Sequence, residues 1–199
     1  MGGVLLVFLV AVAGMVAGAL RGGQLDGFGR QEVRLVPALL IGLALQAATS
    51  LAAALGWLSG AVPVVMVLAL LAMLAFTFAN ARLPGMALIA VGVLCNLAVV
   101  LLNGGMPVTR GALERADLVV AGRATERPDA AHVLVDQDTR LRELGDVLAV
   151  RSFRKVVSVG DIAQFAGLFL LIQGLMAGGE QARRAQSGFE QFDYRRGRR

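Results

Sequence analysis

The chain has 199 residues, 57% of them hydrophobic and 17% charged, with a mean hydropathy of +0.70 and a formal net charge of +5. A soluble domain of this length has no use for so much apolar surface. The sequence pI near 10.9 invites a nucleic-acid reading, but the basic residues gather beside apolar stretches, where membrane orientation places them, and nucleic acid is excluded as a partner.

Five apolar stretches lack any Asp, Glu, Lys, Arg or His: Gly2–Leu20, Leu35–Leu58, Val62–Ala79, Pro84–Leu102 and Ile162–Ala177. About 20 helical residues cross a hydrocarbon core of about 30 Å, and a helix satisfies its own backbone there. The expected fold class is an all-α integral membrane protein. It has a bundle of five transmembrane helices and a small mixed extracytoplasmic segment between spans four and five. Residues 1–102 then form a four-span bundle, 103–161 the extracytoplasmic segment, 162–179 the fifth span and 180–199 a basic cytoplasmic tail. The first stretch has no basic residue ahead of it, and Arg21 follows it. It reads as a retained anchor rather than a cleaved leader, although Ala17-Gly18-Ala19 resembles a cleavage site.

Orientation follows from the connections. Arg21, Arg30 and Arg34 lie in the first, Arg82 in the third, and Arg183, Arg184, Arg195, Arg196, Arg198 and Arg199 in the tail. Five crossings put these ten arginines on one side. The opposite side receives an uncharged loop and a long segment with nine basic and nine acidic residues. Short-loop positive charge governs insertion, so the expected localisation is the cell membrane, with the N-terminus outside and the C-terminus cytoplasmic. The tail arginines orient the protein and attract anionic lipid weakly.

Within the spans, Gly14-x-x-x-Gly18, Gly56-x-x-x-Gly60 and Gly174-x-x-x-Gly178 offer flat strips for close helix packing. Gln46, Asn96, Gln164 and Gln173 should face other helices or a cavity rather than lipid. Gln164 and Gln173 are about 180° apart on a helix and cannot line one narrow pore. Cys95 reads as a small packing residue. The absence of intramembrane ionisable groups argues against a proton-coupled carrier acting alone.

Asn103–Asp161 carries most of the chemistry. Asn103, Gly104 and Gly105 precede Pro107 and should terminate the fourth helix, with exposed amides able to cradle an anion. Thr109–Ala121 has the spacing of an amphipathic helix on the membrane surface or capping the bundle, and Gly122–Asp129 that of a connector. As a strand, His132–Asp138 would set His132, Asp136 and Asp138 on one face, but His132 to Asp136 spans roughly 13 Å, too far to share an ion. No metal or cofactor is therefore expected. Asp138 reads as the N-cap of a short helix Thr139–Leu144 ended by Gly145. Ser158 and Asp161 have capping-box spacing at the start of the last span. The functional alternative brings Asp146 and Asp161 together beside Arg151, Arg154 or Lys155 to hold a phosphate or lipid headgroup. His132 or Asp136 would then be a general base.

The order Asn103-Gly104-Gly105-Met106-Pro107, His132, Thr139-x-Leu141-x-x-Leu144-Gly145-Asp146 and Val157-Ser158-x-Gly160-Asp161 resembles the bacterial domain-of-unknown-function family catalogued under the number 5317. The resemblance covers about Val4 to Gly179. It implies a small multi-span bacterial membrane protein and supplies no catalytic residues.

Three functions fit this reading. The first is a membrane protein that binds a protein partner or lipid through the outer segment. The second is a membrane enzyme acting on a lipid-linked or phosphorylated substrate, with Asp146, Asp161, His132 and Asp136 as candidate catalytic residues. The third is a subunit of a transport assembly.

Overall fold

A computed structural model describes residues 2–29, 31–55, 60–118 and 131–196. The apolar stretches form helices α1 (Gly2–Leu20), α2 (Val36–Leu55), α3 (Val62–Ala79) and α4 (Met86–Asn103), and the last one opens helix α6 (Val159–Arg196). Pro37 and Pro63 fall in the first turns of α2 and α3, where no intrahelical N–H bond is lost. Left-handed Gly85 (φ 82°) and Gly104 (φ 69°) bracket α4, and the Gly104 N–H donates to the Val100 carbonyl at 2.9 Å.

Among the described residues, Val62–Ala79, Met86–Asn103 and Val159–Ala177 are long and apolar enough to cross a membrane. The described apolar lengths of α1 and α2 are shorter, Val4–Leu20 and Val36–Ala52. Helix α6 does not stop at the end of its apolar stretch but continues through the basic tail to Arg196.

The helices pack in the order α2, α3, α4, α6, α1. Close approach of α4 and α6 depends on glycines seven residues apart on both helices. Gly85 lies against Gly167, and Gly92 lies against Gly160 and Gln164, which makes the pair antiparallel. Gly174 extends the seam to Pro84. On the other side of α6, Gly14 meets Ile172 and Phe169 and Gly18 meets Met176, so α1 runs parallel to α6. The four-residue spacing singled out in the sequence thus identifies the α1 contact, whereas the principal seam uses a spacing of seven. Gly56 lies outside the described residues, as do the surroundings of Gly178.

An all-α fold is corrected by a sheet of four strands: β1 (Met106–Val108), β2 (His132–Leu134), β3 (Asp146–Val150) and β4 (Lys155–Ser158). Their order is β2-β1-β3-β4, with β1 parallel to both neighbours and β3 and β4 antiparallel. Strands of three to five residues are too short to show a period of two, which is why the sequence does not announce them.

The expected helix over Thr109–Ala121 is shorter: α5 covers Arg110–Arg115, N-capped by the Thr109 hydroxyl, which accepts from the Ala112 N–H at 3.2 Å. It packs on β3 and β4, and Val108, Ala112, Leu113, Ala116 and Val156 share a small core. Asp117, at φ 54°, ends the helical path. The rest of that segment beyond Leu118 and the connector Gly122–Asp129 lie outside the described residues. Met106 of β1 joins the bundle core with Met66, Leu70, Val93 and Leu97, which seats the sheet on one end of the helices.

Candidate functional site

Five elements meet where the sheet joins the bundle, and each contributes one polar side chain. Asn96 comes from α4, His132 from β2, Asp146 from β3, Ser158 from β4 and Asp161 from the first turn of α6. Gly160 has no side chain to hold Asn96 away, since an added Cβ would collide with the Asn96 carboxamide. Asn96, 4% exposed, donates through Nδ2 to Asp161 Oδ1 (2.8 Å) and accepts through Oδ1 from the Ser158 hydroxyl (2.9 Å). Ser158 Oγ also accepts from the Asp161 N–H (2.9 Å), and Asp161 Oδ2 accepts from the Ser158 N–H (3.2 Å). This reciprocal pair is the capping box expected from the spacing, and Asp161 complements the positive end of the helix.

Asp146 is the cross-strand neighbour of Ser158. Its Oδ2 lies 3.1 Å from His132 Nε2, a pairing that reaches across β1 between strands that do not touch. The Asp146 side chain is 6% exposed and that of His132 21%. Asp146 Oδ1 is buried and has no hydrogen-bond partner among the described residues. A buried carboxylate oxygen is costly to leave without a donor, which singles this atom out. Asp146 and Asp161 are close enough for their charges to repel, and Lys155 is near enough to oppose that repulsion at Asp161.

Other candidates are drawn elsewhere. Asp136 Oδ1 accepts from the Thr139 hydroxyl (2.7 Å) and the Asp138 N–H (3.0 Å), closing a local turn away from His132's strand. The Thr139 hydrogen bond holds the Asp136 carboxyl below the usual range. Asp138 therefore caps no helix. The single helical turn there is Arg142–Leu144, a 3-10 turn entered through left-handed Leu141 (φ 51°) and followed by Gly145. The Asp136 carboxylate and the Thr139 hydroxyl instead tie this stretch into a turn.

Arg151 binds Asp117 Oδ2 (2.9 Å) and Arg154 donates to the Asp117 carbonyl (2.7 Å), so both hold the end of α5 and neither meets Asp146 or Asp161. Asn103 grips Arg140, accepting its N–H at 2.9 Å and donating to its carbonyl at 2.9 Å. Gly104 is the αL helix stop, and Gly105 packs under Val133 and Ala131.

Sequence reasoning singled out Asn96 only as an interhelical hydrogen-bonding group, and Ser158 only as a cap. Their meeting joins the two readings. Gln173 likewise finds a partner, accepting from Arg21 Nη1 at 2.7 Å, while Gln164 lies against Gly92 on another helix. Among the described residues no three His, Cys, Asp or Glu side chains gather as a metal site.

Residues 30–173 match the model of a family of unknown function, DUF5317. The chain belongs to this family. The match begins after α1 and ends inside α6, so it is narrower than Val4–Gly179, but it contains the whole sheet and every residue of the junction. No curated protein and no solved structure matches the chain. Membership in DUF5317 brings no activity with it, and the function has to be argued from the junction and its setting.

Proposed function

We propose that this DUF5317 chain is a bacterial integral membrane protein of five spans that binds a protein partner or lipid through its sheet module. In this reading the module is outside and the tail cytoplasmic. The observation that carries the membrane assignment is apolar exposure on every long helix, with Phe8, Leu40, Val64, Leu101 and Leu170 all open to the surroundings. Contiguous exposed apolar surface of this extent is disfavoured in water by about 25 cal/mol per Å² and is at home in lipid. The parallel α1–α6 and antiparallel α4–α6 directions are those that five successive crossings require.

In a Cys95→Ser background, an Arg199→Cys probe is expected to react with a membrane-impermeant thiol reagent only after permeabilisation. Labelling in intact cells would reverse the orientation. Release of the chain by alkaline carbonate would remove the membrane reading altogether.

Binding is favoured over turnover because most candidate chemical groups are already bonded to the fold. Asp161 caps α6, Asp136 closes a turn, and Arg151 and Arg154 hold Asp117. Among the described residues, Asp146 Oδ1 is the buried acceptor left over. Native mass spectrometry of the protein extracted from its own membrane should show a stoichiometric lipid or polypeptide adduct that Asp146→Asn weakens at unchanged folded yield. Bare protein from both preparations would sink the binding reading.

The His132–Asp146 pair favours one second reading, an enzyme acting on a lipid-linked or phosphorylated substrate. A carboxylate that orients an imidazole is a common basis for acid–base catalysis. That reading requires His132→Gln and Asp146→Asn to abolish turnover while the protein still folds. Parallel loss of turnover and folded protein would return the pair to a structural role.

A further inference from the structure

A second site lies at the opposite end of the bundle from the sheet, where the α1–α2 connection crosses the turn between α3 and α4. The buried Asn80 side chain locks these segments together. Its Oδ1 accepts from the Arg34 N–H (2.8 Å), and its Nδ2 donates to the carbonyls of Arg34 (2.7 Å) and Phe76 (2.8 Å). The next residue, Leu35, is held at φ 55°, a left-handed conformation that a branched side chain resists and that persists only where the surroundings impose it. The result is a rigid rim on an open cleft of about 470 Å³ lined by Gln31, Glu32, Arg34, Phe78, Asn80 and Arg82.

Charge in the cleft is available for a ligand. Arg34 makes an ion pair with Glu32 at 3.2 Å, but the two side chains are 63% and 77% exposed, so that pair is weak and easily exchanged. Arg82 is exposed, and among the described residues no hydrogen bond or ion pair reaches it. Phe78, 63% exposed, gives the cleft an apolar wall that continues onto the outer face of α3. Two guanidinium groups above an apolar wall at the end of a helix bundle suit a phosphodiester with hydrocarbon chains attached.

We infer that this cleft holds the headgroup of an anionic phospholipid. Arg34 and Arg82 donate to the phosphate oxygens, and the acyl chains follow the Phe78 face. The inference rests on the membrane reading above and assigns the lipid to the end of the bundle away from the sheet module.

The test is lipid binding to the detergent-solubilised full chain, read by native mass spectrometry with dioleoylphosphatidylglycerol, dioleoylphosphatidylcholine and glycerol 3-phosphate. The expected result is one phosphatidylglycerol retained in preference to phosphatidylcholine. Arg34→Gln and Arg82→Gln should each weaken it roughly fivefold, the loss of one cation near a headgroup. Glu32→Gln should tighten it, and Arg183→Gln with Arg184→Gln should leave it unchanged.

Undiminished phosphatidylglycerol binding by the Arg34→Gln/Arg82→Gln double variant would overturn the site. So would loss of binding in the tail variant. Glycerol 3-phosphate binding as tightly as the lipid would overturn the lipid assignment in favour of a soluble phosphate. Both arginine side chains are exposed, so these variants should keep the wild-type melting temperature. Binding in micelles does not depend on orientation, so its failure is separable from failure of carbonate extraction or thiol labelling.

Discussion

Asn96→Leu should lower the stability of the detergent-solubilised protein by about 3 kcal/mol. The magnitude combines a hydrogen bond to a charged group with one to a neutral hydroxyl, both lost from a buried setting. Asp161 would lose the donor at 2.8 Å, and the fully buried Ser158 hydroxyl would lose its acceptor at 2.9 Å. Leucine is close in size but offers neither group, so packing alone does not rescue the variant. Asn96→Asp should fail as well, because it sets a third carboxylate beside Asp161 and Asp146. Exposed Leu94, two residues away on the same helix, supplies the control, and Leu94→Ala should change little. The measurement is thermal or denaturant unfolding of the three variants against the parent. An Asn96→Leu protein as stable as Leu94→Ala would mean that the junction is not held by these bonds.

Gly167→Val should be at least as damaging, at about 3 kcal/mol, the upper end of the overpacking range. A Cβ at this position would lie 2.5 Å from Ile89 Cγ1, 2.6 Å from the Gly85 carbonyl oxygen and 2.8 Å from the Ile89 nitrogen. Two of those atoms are backbone and cannot turn aside. The helices would have to separate along the seam that also delivers Gly160 to Asn96. The expected observation is loss of the monodisperse peak on size exclusion, accompanied by loss of the α4–α6 register. Gly60→Val is the matched control, because nothing lies within 4 Å of a Cβ there. Equal yields from the two variants would show that the seam tolerates a wider spacing.

Both results bear on function through one mechanical point. The sheet module is fastened to the bundle at the start of α6 and the end of α4, and the Asp146–His132 pair sits across that fastening. Anything that loosens the seam therefore disturbs the unsatisfied Asp146 oxygen, which is why the binding test uses Asp146→Asn at unchanged folded yield and not a packing variant.

The helices were legible because lipid-like composition is a one-dimensional property. Uninterrupted apolar runs of about 18 to 20 residues declare their ends wherever charge or proline begins, and α1, α3 and α4 lie within a residue or two of the apolar stretches. The Ser158–Asp161 box was legible for the same kind of reason, since both partners lie within one helical turn. The glycine stop at Gly104 belongs with them.

The sheet and the junction were not legible, because their contacts join residues far apart in the chain. Met106 pairs with His132, Val108 with Asp146, and Asn96 meets Asp161 across 65 positions. Parallel pairing has no local turn to signal it, and strands of three residues leave no alternation to read. The sequence could offer Asp138 as a cap because it could not show that the Asp136 carboxylate and the Thr139 hydroxyl would tie that stretch into a turn. By itself, then, the sequence determined the apolar helices, the arginine asymmetry between connections and the local caps, all set by composition and by neighbours a few residues apart. Only the tertiary structure decided which glycines face one another, which carboxylate meets the single histidine and which buried oxygen finds no donor among the described residues. Those choices depend on the energy of burying polar atoms together, and that is set by three-dimensional packing.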